Sequence, residues 1–227
     1  MKRNQSGFTL IEIAIVLVII GLLLGGVLKG QELINSAKVK NLATDFKNIP
    51  VFIYGYQDKF KALPGDDIAA ITHVTATANG NGNGVINGNW NSITATDESY
   101  LFWQHVRLAG LAPGPTTIPG TPAHGDGYLP TNAAGGEIGI QSGTTVVASS
   151  PLLGSAGANP IRGSYVICSS GILGKYVKQL DTTMDDGNPA TGSMMATPVT
   201  GYTLGTSFAT QLASIDDATT YIVCYGV

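Results

Sequence analysis

Residues 8–28 form one nearly unbroken apolar stretch, from Phe8 to Leu28, with a single charged side chain, Glu12, inside it and Lys2-Arg3-Asn4-Gln5-Ser6-Gly7 ahead of it. At about 1.5 Å per residue, a helix of that length crosses a hydrocarbon core of roughly 30 Å. An ionised acid within such a helix costs on the order of 2.5–3.5 kcal/mol on insertion scales. Glu12 therefore needs a partner. Arg3 lies ahead of the stretch and Lys29 several turns along it, so the expected partner comes from outside the chain and arrives after insertion.

Two simpler readings leave residues unexplained. A secretory signal places small residues after its apolar core and no acid within it. Here the polar break precedes the core, and Asn35-Ser36-Ala37 falls inside a helical pattern. A plain single-pass anchor accounts for the hydrophobicity but not for Gly7-Phe8 or Glu12.

A short basic leader, Gly7, Phe8, Glu12 and then an apolar helix together resemble the amino terminus of type IV prepilins and type II secretion pseudopilins. The resemblance implies cleavage between Gly7 and Phe8 by a prepilin peptidase on the cytoplasmic side, and methylation of the new Phe8 amine. It also implies a homo-oligomeric or mixed filament in which that amine neutralises Glu12 of a neighbour, since either charge alone is expensive in an apolar core. The further partner it implies is an inner-membrane assembly platform. The head would lie in the periplasm before assembly, and afterwards on a surface pilus or a periplasmic pseudopilus. Many type IV pilins carry a proline about five turns after the Glu. Here that position is Lys29, preceded by Gly25-Gly26, a departure that leaves open where the helix would loosen.

Past Lys29 the apolar spacing becomes periodic, with Val39, Leu42, Phe46, Ile49, Ile53, Tyr56 and Phe60 at steps of three and four, one stripe on a helix. Pro50 lies in the stripe and predicts a kink near Phe46–Pro50. Leu63-Pro64-Gly65-Asp66 predicts the helix end. The expected organisation is a leader over 1–7, a transmembrane and assembly helix over 8–28, an amphipathic helix half over 29–63 and a globular head over 64–227. The expected fold is α+β, a long helix packed on a carboxy-terminal antiparallel sheet, as the resemblance also implies.

Within the head, Asp97–Leu111 reads as a short helix with acids at its start. Strands are expected at Ile138–Ile140, Thr144–Val147, Ser164–Cys168 and Thr220–Tyr225, with a helix over Ile172–Asp185. The two cysteines, Cys168 and Cys224, have no metal-ligand spacing. An even pair in a translocated domain reads as a disulfide, the alternative being two buried thiols.

Lys+Arg 12 against Asp+Glu 15 gives a net charge of −3, much of the positive charge lying in the leader and over residues 29–61. The mildly acidic remainder argues against nucleic acid as a ligand. Asn79, Asn81, Asn83 and Gly84 imitate the spacing of a calcium loop, but Trp90 stands where a bidentate Glu belongs and amides replace carboxylates, so the stretch reads as turns. Asp181, Asp185 and Asp186, near the turn Asp185-Asp186-Gly187-Asn188-Pro189, are candidate ligands for a hard cation such as calcium. Solvated acids at a helix stop are the alternative.

His73, His105 and His124 show no paired metal spacing, and no nucleophile elbow, zinc-protease helix or phosphate-binding loop is present. The expectation is a non-catalytic filament subunit, of a pilus or of a secretion pseudopilus. A non-polymerising membrane-anchored binding module is the competing class.

Overall fold

The computed structural model describes residues 9–154 and 159–227. Chain contacts divide it into two units, residues 1–38 and 39–227.

Helix α1 (Leu10–Phe60) begins in the first unit and ends in the second. In the first unit the large apolar side chains are exposed on every side, from Leu10 at 93 % and Leu22 at 72 % down to Ile20 at 46 %. It is the one helix among the described residues that is long and apolar enough to cross a membrane. A helix apolar all round has no solvated face, so it belongs in lipid or inside a bundle.

The second unit begins where the stripe begins. Val39, Leu42, Ala43, Phe46, Ile49, Ile53 and Tyr56 are buried, while Lys40, Lys47 and Lys59 stay exposed. Helix α1 runs on through Pro50, the position where the sequence predicts a kink. Proline removes only the bond its missing N–H would make, and packing on both sides holds the flanking turns. The helix stops at Phe60, slightly earlier than expected. Lys61 adopts a left-handed conformation (φ 55°), and its N–H donates to the Gln57 carbonyl at 2.8 Å, a helix stop of the αL kind without its usual glycine.

Two helices follow, α2 (Ala70–Val74) and α3 (Glu98–Leu108). The sheet consists of β1 (Ile138–Ser142), β2 (Tyr165–Leu173), β3 (Met194–Pro198) and β4 (Thr220–Gly226), in the order β1-β2-β4-β3 with every pair antiparallel. Helix α4 (Gly174–Met184) links β2 to β3. The fold is α+β and pilin-like in architecture.

Both faces of the sheet are covered, and strand alternation assigns each side chain to a face. Ile167, Val223, Met194 and Ala196 join the α1, α3 and α4 side chains in the larger core. Val166, Cys168, Ile222, Cys224 and Met195 face the opposite way, under Trp90, Leu152, Ile161 and Ala209 contributed by loops.

Two expectations differ from the structure, and one strand was not expected. Thr144–Val147 is not a strand; it leads into a short 3₁₀ turn at Val147–Ser149, and Val146 stays exposed. Ile172 belongs to β2 rather than to the following helix. The register shifts between Ser169 and Ile172, where Gly171 takes φ 71°, so a bulge lets the strand continue. Strand β3 carries Met-Met-Ala-Thr-Pro, too little alternation to announce a strand, and forms because β4 offers it a ladder.

Candidate functional site

The first turn of α1 carries the assembly residue predicted from sequence. Thr9 precedes the helix and Glu12 is its third residue. The Thr9 N–H and hydroxyl both donate to Glu12 Oε2 at 2.8 Å, and the Glu12 N–H donates back to Thr9 Oγ1 at 3.3 Å. This is a reciprocal capping box. The expectation that Glu12 has no partner in its own chain is therefore corrected: Thr9 is that partner, and the signal was legible in Thr9-Leu10-Ile11-Glu12. Both intrachain bonds fall on Oε2, leaving Oε1 without an acceptor role among the described residues. Gly7 and Phe8 lie outside the described residues.

In the head, Cys168 and Cys224 are bonded and occupy opposed positions on β2 and β4. The disulfide lies on the loop-covered face and closes a sequence separation of 56 residues. It joins two interior strands, because β4, although last in sequence, lies between β2 and β3.

The Asn-Gly stretch is organised by two buried carboxylates. Asp66 Oδ1 accepts the N–H groups of Gly82 (2.6 Å) and Asn83 (3.0 Å), and Oδ2 that of Gly84 (2.7 Å). Glu98 accepts the N–H groups of Asn81 and Asn87, each at 2.8 Å. Burial pushes Glu98 up from the usual carboxylate range; the two amides oppose this, and the charge of nearby Asp66 adds to it. The loop is thus a set of turns wound on carboxylates. Gly80 is required there, since a Cβ would lie 2.3 Å from the Asp66 backbone.

Next to it, Tyr56 donates to Asp67 Oδ2 at 2.8 Å and His73 Nδ1 lies 2.7 Å from the same oxygen, with the Ala69 N–H on Oδ1. Burial by itself would raise Asp67, but the bonds from His73, Ala69 and Tyr56 hold it below its ordinary value. His105 is fully buried. Its Nδ1 accepts the Gly65 N–H at 2.9 Å, so Nε2 carries the proton toward the Ala78 carbonyl, and burial keeps it from charging. His124 pairs with Glu137 at the surface. The three histidines do not meet one another in these contacts; they brace separate loops.

Asp181, Asp185 and Asp186, the candidate cation ligands, sit in different surroundings although their charges interact. Asp185 Oδ2 accepts the Ser193 and Met194 N–H groups, and Asp186 accepts the Asn188 N–H and the Thr191 hydroxyl. Both act as turn acceptors in the α4–β3 connection. Asp181 is fully buried and neither oxygen has a hydrogen-bond partner. Burial pushes its pKa up to about 7; the Gly187 and Asn188 amides oppose this without reaching hydrogen-bonding geometry, and the charges of Asp186 and Asp185 add to it. Among the described residues no three His, Cys, Asp or Glu side chains are grouped to hold a metal ion.

A helix apolar on every side, begun by a Thr–Glu capping box, and a disulfide-tied α+β head are consistent with a protein anchored in a membrane by its amino-terminal helix. Residues 2–28 match the model of the prokaryotic N-terminal methylation motif, the hallmark of type IV prepilins and pseudopilins. That motif is a structural one, not an enzyme family's. No curated protein and no solved structure matches the chain.

Proposed function

We propose that this chain is a structural subunit of a type IV pilus or pilus-like filament. The single observation that carries the reading is the methylation motif over 2–28 running into a helix whose apolar side chains are exposed all round. A prepilin peptidase cuts between Gly7 and Phe8 and methylates the Phe8 amine. The processed chain waits in the inner membrane with its head in the periplasm, and an assembly platform then adds it to a homo-oligomeric or mixed filament. There the Phe8 amine of one subunit meets Glu12 of another. That both Thr9 bonds fall on Glu12 Oε2 supports this, because the capping box and the intersubunit pair need not compete for one oxygen. Cleavage at Gly7-Phe8 leaves the Thr9 N–H intact, so the capping box survives processing.

The test is to shear filaments from cells, probe them for this chain and determine its mature amino terminus by mass spectrometry. A methylated Phe8 terminus in the sheared fraction is expected. A terminus at Met1, or after Ala37, refutes the reading. Gly7→Ala is expected to leave the leader uncut and filaments absent.

A further inference from the structure

The geometry points to Asn87 as a site of self-catalysed deamidation, set apart by the fold from the three other Asn-Gly steps in the same loop. In this reaction the backbone nitrogen of the following glycine attacks the Asn side-chain carbonyl carbon. A C–N bond forms, the amide proton passes to the leaving group and ammonia departs. The resulting succinimide is opened by water to aspartate or isoaspartate, with no change of oxidation state. Asn-Gly is the susceptible pair because glycine offers no side chain to hinder the attack.

Four such steps are present: Asn79-Gly80, Asn81-Gly82, Asn83-Gly84 and Asn87-Gly88. In three of them the attacking nitrogen is occupied. The Gly80 N–H donates to the Asp67 carbonyl at 2.8 Å, and those of Gly82 and Gly84 to the Asp66 carboxylate at 2.6 and 2.7 Å. A proton held by a buried carboxylate is difficult to remove, because the anion left behind would face a second negative charge. The Gly88 N–H donates to nothing among the described residues, and Gly88 is exposed.

The electrophile at Asn87 is also prepared. Its Oδ1 accepts from Asn81 Nδ2 at 2.8 Å and from Asn83 Nδ2 at 2.9 Å, two fixed donors where the tetrahedral intermediate gathers negative charge. This is the arrangement of an oxyanion hole. The Asn87 main-chain carbonyl accepts the Ser99 N–H at 2.9 Å, which draws electron density from the 87–88 peptide and makes the Gly88 N–H more acidic. The loop that shields its neighbours thus activates Asn87. The product places a new carboxylate on the residue whose N–H holds Glu98.

The test follows full-length protein in detergent at mildly alkaline pH, with tandem mass spectrometry assigning Asp and isoAsp at the four positions, beside the same protein in denaturant. Asn87 is expected to convert first in the folded protein, and the four rates to draw together in denaturant. Equal rates in the folded protein, or the same lead for Asn87 when unfolded, overturn the proposal. Asn83→Ala removes one donor and is expected to slow conversion at Asn87 on the order of ten-fold, less than the roughly 10²–10³ that one oxyanion-hole donor contributes in a water-excluded enzyme site, because this loop is exposed. An unchanged rate in a variant that melts like wild type overturns the activation argument.

Discussion

Cys168 lies directly opposite Cys224 across the β2–β4 ladder, their Cα atoms 4.0 Å apart. The bond therefore closes a long loop between two strands that already pair, and fixes the register of the central ladder on which β1 and β3 depend.

Replacing both cysteines by serine is expected to lower stability by roughly 4 kcal/mol in the chain-entropy model for a loop of this length. Urea unfolding of the full chain in detergent measures it. Thiol alkylation without reductant is expected to label neither cysteine of the wild-type protein, and labelling of both would contradict the bond.

Tyr56→Phe is expected to destabilise by roughly 1.5–3 kcal/mol, the range for a hydrogen bond to a charged group, because Asp67 is buried and keeps only His73 and Ala69. Asp67 has a folded-state pKa below its unfolded one. Its contribution is therefore fully present above the unfolded value and is lost as pH falls through the folded value. Acid titration of stability is expected to show a shallower loss for Tyr56→Phe than for wild type, since one of the bonds that depress Asp67 is gone. An identical acid limb in both proteins would contradict this.

Asp181 works in the opposite direction. Its folded pKa, about 7, lies above the unfolded value, so the folded state binds the extra proton between the two. Stability is expected to fall as pH rises through that window, by up to roughly 1.4 kcal/mol per unit, and to level off above it. Asp181→Asn removes that slope, and thermal melts from acid to mildly alkaline pH are expected to show the variant gaining on wild type toward neutrality.

Glu12→Gln keeps an oxygen that accepts the Thr9 bonds, so helix initiation and membrane insertion are expected to persist. Recruitment is expected to fail. A neighbour's Phe8 amine would enter the bundle without its counter-ion, at a cost of roughly 3–5 kcal/mol for one partner of a buried pair. Processed, membrane-resident protein with few or no sheared filaments is the expected outcome when it is the sole subunit of its kind. Wild-type filament levels would refute the pairing.

The sequence by itself determined the long amino-terminal helix of this protein. Glu12, the apolar run behind it and the stripe from Val39 to Tyr56 are local patterns whose meaning depends only on helix periodicity and on the aversion of apolar side chains and lone charges to the wrong solvent. The two cysteines were legible from their even number, and the strands around them from their own β-branched and aromatic runs. Only the tertiary structure decided the rest. Strand β3 has no pattern of its own and exists because β4 lends it hydrogen bonds. The Asn-Gly stretch, which read as bare turns, is shaped by Asp66 and Glu98. In each case the deciding partner is a backbone amide or a packed side chain brought near by the fold, and sequence spacing does not encode such proximity.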